Sequence, residues 1–193
     1  FQRVNMNLRV TSALVLGLAG VVFLCSLGIW QVQRMYEKRT QLAEMTAGIT
    51  APAVPLPEAF DRERDRFRPV RVEGRFTGEG LQVLSGKAMI GAGVQVIAVL
   101  ETRDGRRVLV DRGFLKDDDK HKTLTVTDIK FIGNLMWPRD ANQYTPPPDS
   151  KTGLWFGRDA DAMAAKLGTE PVIIVAREPT GDGIEAMPVD TST

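Results

Sequence analysis

From Val10 to Trp30 the chain reads VTSALVLGLAGVVFLCSLGIW, twenty-one positions without a charge. About 20 apolar residues in a helix cross roughly 30 Å of hydrocarbon, so this run is expected to form a transmembrane helix, taken over residues 8–31. A cleaved signal peptide is the main competitor. Its apolar core is usually only about 7 to 15 residues long, and no small-x-small cleavage site directly follows this run. Arg3 and Arg9 precede the span while Arg34, Lys38 and Arg39 follow it, so positive charge does not fix the orientation. The chain opens on Phe1 rather than Met, and a processed or longer N-terminus is expected.

Ala13, Gly17, Gly20 and Gly28 recur at helical spacing along one stripe. Small residues there let a second membrane helix approach closely, yet Gly is common in membrane helices generally, and both readings stand. Where the run ends, Trp30 suits the membrane interface. Beyond it Gln31, Arg34 and Lys38 share one face, and the two cations, a turn apart, repel by about 0.2 to 0.5 kcal/mol. Lipid headgroups can answer Arg34 and Lys38 but do not account for Gln31.

Past the membrane the chain reads as an α+β protein. Good helix formers continue as a juxtamembrane helix over 32–48, and four prolines in ITAPAVPLPEAF make 49–60 an extended linker. A β-rich domain is expected over 61–180, mainly antiparallel, as a sheet or partly open barrel, followed by a flexible tail over 181–193. In RPVRVEGRFT the residues Val70, Val72 and Phe76 alternate with Arg71, Glu73 and Arg75, a half-exposed strand. Further strands read at 81–84, 94–101, 106–112, 123–133 and 171–177. Asp104-Gly105 marks a hairpin, and Asp159 and Gly168 bracket one short helix. Between them WPRDANQYTPPPDSKTG is a long loop stiffened by three prolines.

Residue chemistry narrows the function. A formal net charge of +1 with interspersed signs does not point to nucleic acid. Cys25 is the only cysteine, so neither a disulfide framework nor a CxxC motif can form within the chain. His121 is the only histidine and sits in the polar run KDDDKHK, a solvated turn rather than a triad or metal site. SGKAMIGAG lacks the GxxxxGK[ST] spacing and leads into a strand, so it reads as turns. In VLVDRGFL, Arg112 and Gly113 close a strongly apolar strand. Either they form a bulge or the arginine is aimed at a partner or an internal carboxylate.

Together GIWQVQRMYEK, RPVRVEGRF, DGRRVLVDRGFL, IGNLMWP and LWFGRDADAMAAKLG resemble, in order and spacing from about residue 28 to 177, the surfeit locus protein family of cytochrome c oxidase assembly factors. The resemblance implies a non-enzymatic factor of the bacterial or mitochondrial inner membrane, its domain on the periplasmic or intermembrane-space side. Its partners would be the catalytic subunit of a haem-copper oxidase or other assembly factors, helped by insertion of haem a or by stabilising an intermediate. Gly28, Trp30, Gln31, Arg34 and Lys38 match the family's membrane-exit motif, Arg112 and Gly113 its RG motif, and Trp155, Arg158 and Asp159 its WxxRD motif, which makes these the partner-binding candidates. The family also implies a second, C-terminal membrane span carrying the haem-linked histidine. GIEAMPVDTST contains no apolar run, so that span is expected to be missing from this sequence, and no haem ligand is assigned. A stable accessory subunit of the mature oxidase or of a respiratory supercomplex is the competing reading.

Overall fold

The computed structural model describes residues 2–87 and 91–189, with the side chains of 2–9, 40–42, 44, 86 and 87 left aside. Residues 88–90 of the Gly-Lys stretch and the last four of the expected tail lie outside the described residues, as do the Arg3 and Arg9 side chains. The chain divides into two compact units, 1–44 and 45–193.

Helix α1 runs Gln2–Thr50, with no proline to stop it before Pro52. Within it Val10–Arg39 is long and apolar enough to cross a membrane. Its apolar side chains are uncovered: Leu16 is 76% and Phe23 68% exposed, unlike the buried stripe of a soluble core helix. Space is open beside Gly17, Gly20 and Gly28, where an added Cβ would meet nothing within 4 Å.

Among the described residues of the second unit, seven strands form one sheet: β1 (Val54–Pro55), β2 (Pro69–Lys87), β3 (Gly91–Thr102), β4 (Arg107–Lys116), β5 (Asp128–Met136), β6 (Leu154–Trp155) and β7 (Ile173–Ala176). The path β2-β3-β4-β7-β5 returns to β2, because Pro69–Arg75 of β2 also pairs with Asp128–Asn134 of β5. Pairing therefore closes into a five-stranded ring, antiparallel except between β4 and β7. Alternation then decides what lies inside. Val70, Val72, Phe76, Ala98, Leu100, Val108, Val110, Leu135 and Ile174 fill the ring. The opposite parity, Leu81, Val83, Ile97, Val99, Leu109, Ile173 and Val175, would face water. Instead it is covered by Trp155 of β6 and by Ala160, Met163 and Ala164 of α2 (Ala160–Leu167).

Several elements differ from the sequence expectation. The strands read at 70–76 and 81–84 are one long β2, bent by a bulge between Phe76 and Gly80, where Gly78 takes φ 85°. Residues 123–127 are not strand. The Thr125 N–H donates to Asp182 Oδ2 at 3.1 Å and is lost to any ladder. The expected tail begins packed rather than free: Ile184 is buried, and Glu185 exchanges backbone hydrogen bonds with Phe114 at 2.8 and 2.9 Å.

Candidate functional site

The membrane-exit motif lies on exposed helix. Trp30 is 52% exposed, and the Arg34 guanidinium stands 5.4 Å from its ring centroid, a cation-π contact that partly answers the charge. Shallow grooves flank this arginine, lined on one side by Gln31, Met35 and Arg39 and on the other by Gln33 and Glu37, with Lys38 shared.

The RG motif is a bulge. Val96 pairs with Gly113 and Ile97 with Asp111, leaving Arg112 as the extra residue, its side chain turned into the end of the barrel. The guanidinium is 1% exposed and stands 4.5 Å from the centroid of the Phe76 ring. It donates through Nε to Thr180 Oγ1 at 2.7 Å, through one terminal nitrogen to Asp182 Oδ2 at 2.7 Å, and through the other to the Thr180 carbonyl at 2.9 Å. Two of the alternatives left by the sequence are realised together, the bulge and the internal carboxylate. Although burial opposes ionisation of Asp182, hydrogen bonds from Thr125 and Arg112 hold its carboxyl below the usual range. Gly113 has φ 112°, and a Cβ there would lie 2.0 Å from the Glu185 carbonyl oxygen. Only glycine fits.

The WxxRD motif leads into α2. Asp159 accepts from the Ala162 N–H at 3.0 Å as the N-cap, and Gly168 ends the helix in the left-handed region. Trp155 lies against the sheet with its Nε1–H buried and without a partner. Arg158 bridges two carboxylates, Asp140 Oδ2 at 2.6 Å from Nε and Asp111 Oδ2 at 3.4 Å from a terminal nitrogen.

Asp111, which the sequence reading did not single out as a site, is where two motifs meet. It immediately precedes Arg112, accepts from the Gly113 N–H at 3.1 Å and from Gln95 Nε2, and faces Arg158. Burial pushes its carboxyl up to about 6 against the opposing pull of Arg158, Gly113 and Gln95. The signal was present in VLVDRGFL: a lone carboxylate amid residues patterned for burial has to find internal partners.

Neither titratable metal ligands nor a haem ligand gather here. Among the described residues no group of His, Cys, Asp and Glu could hold a metal ion. His121 is exposed just after the turn Asp117–Asp119, flanked by Lys120 and Lys122, which pair with Asp117 and Asp119. That setting does not fit an axial haem ligand, and haem a stands for this chain on family resemblance alone.

The SURF1 family model matches residues 18–192, nearly the whole chain. The chain belongs to the SURF1 family. Among its relatives, surfeit locus protein 1 of Rattus norvegicus is 26% identical over 172 residues, covering 78% of this chain and 56% of the rat protein. The Homo sapiens protein of the same name is 27% identical, with 78% and 58% covered. A SURF1-like protein of Rickettsia felis is 28% identical over 161 residues, with 79% and 70% covered. The chain thus spans 56% of the length of the rat relative.

Proposed function

We propose that this protein is a membrane-anchored, non-catalytic factor for biogenesis of a haem-copper cytochrome c oxidase, assisting haem a insertion or stabilising the catalytic subunit during assembly. Family membership over residues 18–192 carries the reading, through the role that the surfeit locus resemblance implies. The helix Val10–Arg39 supports the anchor. On this reading the membrane is the bacterial or mitochondrial inner membrane, and the β-barrel lies on the periplasmic or intermembrane-space side.

The motif geometry divides the labour. Arg112, Gly113 and Asp159 are engaged within the fold, so the exposed row Trp30, Gln31, Arg34 and Lys38 is the first candidate to meet the catalytic subunit. Deleting the gene is expected to lower haem a content and oxidase activity. An Arg34→Glu chain should reach the membrane in normal amount without restoring them. Unchanged activity in the deletion strain would remove the assembly role, and full rescue by Arg34→Glu would reduce the exit motif to an anchor. Recovery of the chain at one copy per active enzyme would instead make it a subunit.

A further inference from the structure

We propose that the groove beside Arg34 on helix α1 is a binding site for one anionic phospholipid headgroup, its phosphodiester held by Arg34, Lys38 and Arg39 against Trp30.

The charges there are sorted in space. Trp30, Gln31, Arg34, Met35, Lys38 and Arg39 line this groove, three cations without a carboxylate, while Gln33 and Glu37 line the groove on the other side of Arg34. Among the described residues none of the three cations is ion-paired. The Trp30 ring under the Arg34 guanidinium answers part of its charge and leaves its N–H donors without an oxygen acceptor. Trp30 and Met35, 52% and 41% exposed, add an apolar wall on which the head of an acyl chain can rest.

Depth selects the source of the anion. With Trp30 at the interface, Arg34 stands about 6 Å further along the helix, and the headgroup layer is roughly 5 to 7.5 Å thick on each side of the hydrocarbon. Its Cα therefore lies in the phosphate layer. Lys38 and Arg39 start about 12 to 14 Å beyond Trp30, but helical side chains lean toward the helix N-terminus, which here is toward the bilayer. Arg34 displays that lean, its guanidinium 5.4 Å from the ring centroid of a residue one turn earlier. The long stems of Lys38 and Arg39 reach back along the same wall.

A seated headgroup also gives Gln31 a role. A diffuse cloud of lipid charge does not account for an amide at this position, whereas one bound headgroup does, since Gln31 lies in the same lining and its N–H groups can donate to a phosphate or ester oxygen. Three cations repel the amine of a zwitterionic lipid, so a headgroup of the phosphatidylglycerol type is the better fit. The site rests on the membrane anchor of the assembly reading. On that reading the bound lipid forms part of the surface that Trp30, Gln31, Arg34 and Lys38 offer.

The test uses the full chain in phosphatidylcholine vesicles at low ionic strength, with a small fraction of either brominated phosphatidylglycerol or brominated phosphatidylcholine. Bromine quenches nearby tryptophan, and subtracting the signal of a Trp30→Phe chain isolates the residue that lines the groove. A cation at an anionic lipid is worth a factor of about five, so the three bound the preference for phosphatidylglycerol at about a hundredfold. Arg34→Gln should lower the preference about fivefold. Adding Tyr36→Arg to that variant restores the net charge outside the lining of either groove, and the preference should stay at the lowered value. Equal quenching by the two lipids in the wild type, a preference unmoved by Arg34→Gln, or its recovery in the double variant would each overturn the site. Equal quenching together with failed oxidase rescue by Arg34→Glu would assign the row to a protein partner instead. The vesicles contain no oxidase, so the lipid site and the assembly role can fail separately.

Discussion

Replacing Gly113 by alanine tests whether the RG motif serves the fold or a partner. The new Cβ would start 2.0 Å from the Glu185 carbonyl oxygen and 2.9 Å from Ala186 Cα, both backbone. Restoring ordinary contact means displacing the 184–186 segment and losing the hydrogen bonds that Glu185 exchanges with Phe114. Two such bonds contribute about 2 kcal/mol, at roughly 0.5 to 1.5 each. A side chain forced to a φ of 112° adds about 1 to 3 kcal/mol. The total, about 3 to 5 kcal/mol, should lower the midpoint of thermal unfolding by roughly 10 °C in a protein of this size. Gly105→Ala is the control. Gly105 also has positive φ, 81°, but its Cβ would meet nothing, so only the backbone cost of about 1 to 2 kcal/mol should appear. Tryptophan fluorescence of the two variants during heating in detergent measures the difference. Equal losses would refute the close approach of residue 185, and a Gly113→Ala protein that melts like Gly105→Ala yet fails in assembly would move this glycine from the fold to a partner surface.

Arg112→Leu should cost about 3 to 5 kcal/mol by urea unfolding, because Asp182 keeps its charge in a nearly closed site without its cation. Asp111 gives a pH dependence of definite sign. Its folded pKa lies above the unfolded one, so its contribution is fully present below about pH 4 and is lost as pH rises through about 6, a change on the order of 3 kcal/mol. Asp111→Asn should remove that slope in denaturation curves between pH 4 and about pH 8, and a slope that persists would assign it to another group. Asp159→Ala should cost about 1 kcal/mol, the usual value of a helix N-cap, read from the unfolding midpoint.

Local features of the domain were legible in sequence because local rules decide them. The Asp104-Gly105 turn joins β3 to β4, and α2 starts after Asp159 and stops at Gly168, where capping chemistry put its ends. Alternation found the inward face of β2 at Val70, Val72 and Phe76. What escaped depends on partners distant in the chain. Thr125 has the composition of a strand residue, yet its N–H goes to Asp182, 57 positions later. Closure of the ring depends on β2 pairing at once with β3 and β5, which no local period announces. Among the motif residues, the sequence could mark Arg112 and Arg158 but not Asp111, which meets them both. Nothing in the spacing of Asp111 and Arg158 reports that strand β4 and the turn before α2 meet in space.

Strand β7 gives the barrel an order of completion. It is four residues long and lies late in the chain, yet it fills the gap between β4 and β5, pairing with Leu109–Asp111 on one side and Gly133–Met136 on the other. A ribosome or translocon delivering the chain from its N-terminus would release β2 to β5 first, and they would wait with two unsatisfied edges flanking an apolar slot. Ile173 to Ala176 act as the keystone: a nascent chain that stalls before them presents those edges to any neighbouring strand, so the ring's vulnerable interval ends only when β7 arrives.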